Sequence, residues 1–191
     1  MSLRGLAKKL GISPSAVSQI ERGHLQPSIG RVIAITEALG VPLSSAFAPP
    51  GTAAGGPATS RGLAVARAGE IRPVPLAGGV TIRRLSPHAV DDVEFFESVY
   101  APGSVSNAGA MVTHDGFEIG TVTAGELTVD LDTETVVLGP GDSISFPSAR
   151  PHLLSNRSLT DAVATWLIVH SPGGRPVTPL GPAPEHAAAR E

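Results

Sequence analysis

The sequence contains no cysteine among its 191 residues. Disulfide bridges, zinc-thiolate sites and thiol nucleophiles are therefore excluded. Long apolar runs are missing as well, because no stretch approaches the roughly 18 residues that a membrane-spanning helix needs. The first residues, MSLRGLAKKLG, also lack the apolar core of a signal peptide. These absences predict a cytoplasmic protein without a membrane partner.

The charges are separated along the chain, although the net charge is only -3. Residues 1–47 carry five basic and two acidic side chains, which gives +3, and the remainder carries 9 basic and 15 acidic side chains, which gives -6. A basic segment on an acidic body predicts an anionic partner for the first segment only.

Apolar residues recur at helical spacing up to about Phe47 and predict three short helices. Residues that favour helix ends flank each of them, and Pro14 suits a first helical position. The serines expected to begin the helices are Ser2, Ser13 and Ser28, and the glycines expected to end them are Gly11, Gly23 and Gly40.

Beyond the helices the composition changes twice. Residues 49–60 are rich in Pro, Gly and Ala and predict a flexible linker. Residues 61–171 contain short β-branched and aromatic runs between Gly/Pro turns, which predict an all-β sandwich or barrel with about eight strands over 79–170. Residues 172–191 predict a disordered tail. The predicted fold is therefore α + β in two domains, an all-α domain over 1–48 followed by an all-β domain.

The turn "GIS" between the first two helices is typical of a helix-turn-helix, although any small helical bundle could contain such a turn. The longer string "LAKKLGISPSAVSQIERGHLQPSIGRVIAITEALGVPLSSAF" decides between them. It resembles the Xre-type, phage-repressor-like helix-turn-helix family over more than forty residues. The resemblance implies sequence-specific binding to a double-stranded DNA operator.

The resemblance also assigns roles to positions in this domain. Its second helix would present Ser15, Ala16 and Gln19 to base edges, and an amide such as that of Gln19 suits adenine. Each basic side chain could equally be a solvated surface charge. The candidate phosphate contacts are Ser13, Ser28, Lys8, Lys9, Arg22 and Arg31, and the expected core is Leu6, Ala7, Leu10, Val17, Ile20, Ile33 and Leu39.

The chain departs from this family at its start, where a further helix usually precedes the two described above. Without that helix, part of the apolar face of Leu6, Leu10 and Ile33 would lack a cover. Exposure of each large side chain would cost about 1.5–3 kcal/mol. We therefore expect the natural reading frame to begin upstream of Met1; the alternative is a form that binds DNA poorly.

The stretch "VTHDGFE" places a carboxylate four residues after a histidine. In one straight strand, His114 and Glu118 would stand roughly 13 Å apart, too far to share an ion. A three-residue hairpin loop of Asp115, Gly116 and Phe117 would set the two side chains opposite each other. A two-residue Asp-Gly turn would instead point Glu118 to the other face, so a metal site requires the longer loop or a bulge.

A second stretch, "GDSISFPSARPHLLSN", resembles the second motif of the cupins, a family of small β-barrels. The motif glycine, proline, histidine and asparagine fall on Gly141, Pro147, His152 and Asn156, with Ala149 at its middle glycine.

The first cupin motif is matched in part. Its second histidine, its glutamate and its glycine fall on His114, Glu118 and Gly125, whereas its first histidine falls on Val112. The resemblance implies a double-stranded β-helix, or jelly roll, for the second domain.

Together His114, Glu118 and His152 form a two-histidine, one-carboxylate set, which suits a divalent metal such as Fe, Mn, Ni or Zn. The loss of an imidazole at Val112 would lower metal affinity. In the alternative interpretation, these four residues line an effector pocket and bind a small molecule directly. His88 and His170 are expected to be ordinary surface or core residues, and His24 and His186 to lie outside the barrel. Arg150 is expected to be an exposed arginine; the alternative is a contact with an anionic effector at the lip of the pocket.

The order of the two modules resembles the Xre-cupin class of bacterial regulators. It predicts a non-enzymatic, homodimeric transcription factor whose barrel binds a small-molecule effector and modulates operator binding. One alternative is a metal-dependent cupin enzyme of the oxygenase or isomerase type. Another is a small-molecule-binding module with a vestigial helix-turn-helix.

Overall fold

A computed structural model describes residues 1–47, 63–67 and 69–170 of the chain. The predicted linker and the predicted tail both lie outside the described residues. The helical domain contains α1 (Leu3–Leu10), α2 (Pro14–Glu21) and α3 (Ile29–Leu39), followed by a 3-10 turn at Leu43–Phe47.

The three helices begin at the predicted caps. The hydroxyl oxygens of Ser2, Ser13 and Ser28 accept hydrogen bonds from backbone N–H groups three residues later, at 3.1, 3.1 and 3.3 Å. Each bond satisfies a donor that a helix start leaves without an intrahelical partner. Gly11 and Gly40 cap α1 and α3 in the left-handed conformation, with φ of 64° and 67°.

The second domain folds into two antiparallel sheets. The described residues form nine strands rather than the eight expected, since the first strand pairs before residue 79. The larger sheet has the order β1-β2-β3-β9-β4-β7, and the smaller has the order β6-β5-β8. The strands are β1 (Val74–Leu76), β2 (Val80–Arg84), β3 (Val93–Tyr100), β4 (Phe117–Ala124), β5 (Leu127–Leu131), β6 (Glu134–Leu138), β7 (Ser143–Pro147), β8 (His152–Ser155) and β9 (Ala162–Val169).

Residues that alternate between buried and half-buried positions along the strands form the interior between the sheets. In β3 and β9 every second residue is buried, which is the pattern of strands with one face on a core. Phe146, Leu127 and Val129 are almost fully enclosed there. This arrangement confirms the predicted cupin barrel behind a helical domain.

The helical domain packs against the barrel through α3 and the 3-10 turn. Val32 and Phe47 belong to the same buried cluster as the barrel interior. The rings of Phe47 and Phe96 meet edge to face, with centroids 5.3 Å apart. The N–H of Ser44 donates to Oε2 of Glu94 at 2.8 Å. The two domains therefore share part of one core.

This packing corrects two expectations for the helical domain. Of the three residues expected to be partly uncovered, Leu6 and Ile33 are buried, whereas Leu10 is half-buried. Leu6 packs within the helical domain, and Ile33 lines a cavity together with barrel residues. Leu39, expected in the core, is the last residue of α3 and is 45% exposed. Within the residues that the structure describes, no helix is both long and apolar enough to cross a membrane.

Candidate functional site

The second helix presents the residues expected to read bases. Ser15 and Gln19 are exposed on α2, and Ala16 between them is half-buried. On its other face α2 buries Val17 against Leu6 and Ala7 of α1. This small cluster fixes the orientation of α2, so its outer face has the exposure that contact with a major groove requires.

Three of the basic side chains make hydrogen bonds within the helical domain. Arg31 donates to the carbonyl of Leu10 at 3.1 Å, and Lys9 donates to the carbonyl of Ala38 at 3.4 Å. These bonds place cations at helix C-termini, where the helix dipole favours them, and they join α1 to α3. Arg22 donates to the backbone and hydroxyl oxygens of Ser18. A phosphate-binding role for these residues stays a prediction.

In the barrel, three side chains from distant segments meet. Nε2 of His114 lies 3.0 Å from Oε1 of Glu118, and Nε2 of His152 lies 3.2 Å from the same oxygen. One ligand atom from each residue can be chosen so that all three lie within 4.8 Å of one another. All three side chains are buried, with exposures of 3–7%. The structure thus brings together the set that the sequence predicted.

The route by which His114 reaches Glu118 differs from the expected hairpin. Val112 pairs with His152 of β8 in the smaller sheet, whereas β4, which carries Glu118, belongs to the larger sheet. Between them the chain bends at Asp115 and Gly116, where φ of Gly116 is 120°. The hairpin prediction is therefore wrong: a crossing from one sheet to the other brings the two side chains together.

Backbone carbonyls fix both imidazole rings. Nδ1 of His114 lies 3.0 Å from the carbonyl oxygen of Asp115, and Nδ1 of His152 lies 2.8 Å from that of Arg150. A carbonyl can only accept, so each Nδ1 carries the proton. In the neutral ring this leaves a lone pair on each Nε2, directed toward the carboxylate. Metal-binding histidines commonly have such a partner on the other ring nitrogen.

The carboxylate itself supplies a test of whether a metal fits. Oε1 of Glu118 is buried and accepts no hydrogen bond of acceptable geometry from the described residues, despite the two nearby imidazoles. A buried carboxylate oxygen without a partner is costly. Two Nε2 lone pairs and this oxygen converge on one place, which is the donor set of a divalent metal site. The residues therefore fit a divalent ion.

The pKa of His114 reflects the same environment. Burial lowers this pKa, but the Glu118 carboxylate and the Asp115 carbonyl raise it by more, so that it lies above its usual value. A proton on Nε2 of His114 and a metal ion would compete for the same lone pair.

A cavity of about 70 Å³ adjoins the three side chains. Val112 is on its lining, as predicted, but most of the lining is apolar and was not predicted. The indole of Trp166 is part of this lining. Three further lining residues, Ile29, Ile33 and Leu43, come from the helical domain. The sequence did contain an indication of this contact, because the apolar residues of α3 occupy more than one face of the helix.

The other candidate residues lie away from this cavity. Arg150 is directed to Glu134 at 3.3 Å on the surface, and His88 and His24 are exposed. His170 follows β9 and its N–H donates to the carbonyl of Asp92. His186 lies in the tail, outside the described residues.

The remaining cupin-motif residues serve the fold. Nδ2 of Asn156 donates to the carbonyls of Tyr100 and Thr160, both at 2.7 Å. A Cβ at Gly125 would stand 2.8 Å from Cα of Ala162, so only glycine leaves room there. These positions hold loops of the barrel and do not contact the cavity.

Comparison with known proteins gives two family matches. Residues 1–45 match the helix-turn-helix family model, and residues 96–169 match the cupin domain family model. The chain is 25% identical over 175 residues to the HTH-type transcriptional regulator PuuR of Escherichia coli (strain K12), covering 90% of this chain and 88% of that protein. The PuuR of Shigella flexneri matches equally.

A solved structure is similar to this chain over most of its length. The HTH_3 family transcriptional regulator from Vibrio cholerae superposes with a TM-score of 0.58 at 21% identity, covering 90% of this chain and 88% of that one. This likeness supports the fold, and the matches to both domain families agree with it. The chain therefore carries a helix-turn-helix domain followed by a cupin domain, and over most of its length it is similar to an HTH-type transcriptional regulator.

Proposed function

We propose that the protein is a ligand-responsive transcription factor that reads a specific operator through α2 and binds a small-molecule effector in the barrel. The observation that carries this proposal is the outer face of α2. It presents Ser15 and Gln19 to solvent from a domain whose formal charge is +3 over residues 1–47. Basic side chains contribute affinity for phosphate, and the exposed amide contributes base discrimination.

Operator selection from genomic fragments, followed by gel-shift titration, tests the DNA-binding part. Wild-type protein is expected to bind selected fragments more tightly than random DNA, and the affinity should fall as salt rises. Replacement of Gln19 by Ala should weaken binding to the preferred DNA sequence by about 1–3 kcal/mol. Gln26→Ala is the matched control, since Gln26 is also exposed but lies beyond α2. Equal loss in both variants, or no sequence preference, would contradict the proposal.

The effector is held in the cavity beside His114, Glu118 and His152. Its lining combines these polar groups with mostly apolar side chains, which is typical of a small-molecule site. A divalent ion bound by the three side chains would act as a Lewis acid toward an oxygen or nitrogen of the effector. Mass spectrometry of small molecules released from purified protein would identify the effector class.

We also propose a homodimer, because two-fold operators suit helix-turn-helix domains. Support comes from the outer face of the larger sheet, where Leu167 pairs with Phe95 on one side and with Ile119 on the other. Ile119 is 41% exposed. Ile119→Glu should convert a dimer to a monomer in sedimentation experiments, whereas the same change at exposed Leu159 should not. A wild-type monomer would overturn this part.

A metal-dependent cupin enzyme is the second candidate, favoured by the unpartnered Oε1 of Glu118. We propose that the site senses rather than catalyses, because the described lining offers no second carboxylate, lysine or free histidine as a general acid or base. Metal analysis of untagged protein together with turnover assays on small carbonyl and carboxylic acid substrates separates the two. Metal-dependent turnover that is lost in His152→Ala would favour the enzyme.

A further inference from the structure

We propose that α3 of the helix-turn-helix domain is a movable wall of the effector cavity, so that an effector too large for the cavity displaces the DNA-binding domain. This inference rests on the proposed function and adds its regulation. The site is then shared by the two domains rather than built by the barrel alone.

The wall consists of Ile29 and Ile33, one helical turn apart on α3, and Leu43 of the 3-10 turn. These side chains line the same cavity as His114, Glu118 and His152. With the wall in place, the cavity measures about 70 Å³, which is room for only a few water molecules. A larger effector has to displace part of the lining, and the wall is the part that belongs to the helical domain.

Beside the core shared through Val32 and Phe47, two polar contacts join the start of α3 to the barrel. The hydroxyl of Ser28, which caps α3, lies 2.9 Å from Oδ1 of Asn107, and the carbonyl of Pro27 accepts from the N–H of Ala77 at 3.0 Å. Gly30 sits directly over the Asn107 side chain, so that a Cβ at position 30 would stand 2.9 Å from Cγ of Asn107. That is closer than carbon atoms pack.

The short 3-10 segment Ser106–Gly109, which contains Asn107, also contacts the strand that carries His152. Ser106, next to Asn107, accepts a hydrogen bond at 3.0 Å through its hydroxyl oxygen from the N–H of Leu154. Leu154 lies two residues after His152 on β8, and both line the cavity. A change at the cavity therefore reaches the α3 contact through one loop.

On its other side α3 is tied to the DNA-reading helices. Arg31 and Lys9 bond across the contact between α1 and α3, and α1 packs on α2 through the cluster that contains Val17. Movement of α3 therefore carries α2 with it. A two-state element of this kind is what coupling between two sites requires.

The first experiment opens the wall by substitution and reads Trp166, the sole tryptophan of the chain and part of the cavity lining. Gly30→Ala should push the Asn107 side chain away from Ser28 and so loosen α3 from the barrel. Trp166 emission should move to longer wavelength, and quenching by acrylamide should rise. The matched control is Gly139→Ala, where a Cβ would lie 3.7 Å from the nearest side-chain atom. Equal quenching in both variants would overturn the movable wall.

The second experiment locks the wall. Because the chain has no cysteine, the pair Gly30→Cys and Asn107→Cys introduces its only thiols, at positions within the span of a disulfide. Acrylamide should quench Trp166 fluorescence no more in the oxidised pair than in wild-type protein, and reduction of the disulfide should increase this quenching. If reduction leaves the quenching unchanged in protein whose circular dichroism matches wild type, the proposal that the wall moves is contradicted.

A third measurement tests whether movement of the wall changes DNA binding, using fragments selected by the wild-type protein. Gly30→Ala should change the affinity for these fragments relative to Gly139→Ala, and the oxidised cysteine pair should differ from the reduced pair. Unchanged affinity would overturn the coupling while leaving DNA binding intact. Failure of the wild-type protein to select DNA would instead overturn the proposed function, because the tryptophan experiments need no DNA.

Discussion

Val112 and His152 are backbone partners: the N–H of each donates to the carbonyl of the other, at 2.9 and 3.0 Å. Val112 also lines the cavity in which Nε2 of His152 faces Glu118. The position at which the cupin pattern has another histidine is thus beside the three ligand candidates and carries an isopropyl group.

Replacing Val112 by His should therefore complete the donor set. We expect Zn²⁺ or Mn²⁺ to bind at least about ten-fold more tightly, a gain of about 1.4 kcal/mol, in isothermal titration calorimetry. Val112→Ala is the control because it removes bulk without adding a ligand. A comparable gain in the alanine variant would show that space, not the imidazole, limits binding.

Removal of His152 should abolish specific metal binding. Loss of a direct ligand should exceed the about 10- to 100-fold effect of losing an outer partner. The measurement is equilibrium dialysis with Zn²⁺ for His152→Ala and for His88→Ala, since His88 is exposed and outside the cavity. If both variants retain one tightly bound ion, the His114–Glu118–His152 set does not hold it.

Gly120 leaves the space that the Trp166 ring fills. A Cβ at position 120 would stand 2.6 Å from Cε3 of the indole, so the ring must shift. We expect Gly120→Ala to lose about 1–3 kcal/mol of unfolding free energy through overpacking, with an altered Trp166 emission spectrum. Denaturant titration measures the loss. Gly139→Ala should remain near wild type, and equal stability of both variants would contradict the packing described.

Glu94 should make stability depend on pH. Burial raises the pKa of Glu94, although Ser44 and His170 oppose this. Burial also lowers the pKa of Arg84, and the Glu94 carboxylate opposes that shift. A carboxyl whose pKa is higher in the folded state loses stability as pH rises from its unfolded pKa through its folded pKa. Compared with Glu94→Gln, wild-type protein should gain unfolding free energy on acidification through that range. Parallel pH profiles for the two proteins would contradict this.

Local rules predicted the helical domain well. Ser13 before Pro14, and Ser28 before α3, cap the helices at the expected residues because capping depends on neighbours within one turn. The burial of Ile33 was harder to foresee, because its cover comes from a domain more than forty residues away along the chain. Leu39 was misplaced for the same reason, since spacing alone does not say which faces are covered.

The ligand set was predicted by resemblance, but its geometry was not. Hairpin rules apply when one strand turns back on its neighbour, whereas the chain at Asp115–Gly116 leaves one sheet and enters another. Which sheet a strand joins depends on long-range pairing with His152 and β7. That pairing is not encoded within the seven residues from Val112 to Glu118.

The shared wall also bears on how such proteins diversify. Since Ile29, Ile33 and Leu43 complete a cavity whose other side is the barrel, a chimera that joined this barrel to a foreign helical domain would receive a different wall. It would keep the polar groups but not the shape of the chamber. Ligand preference would then be inherited from both parents, and recombination of whole modules would create new preferences without any substitution in the barrel.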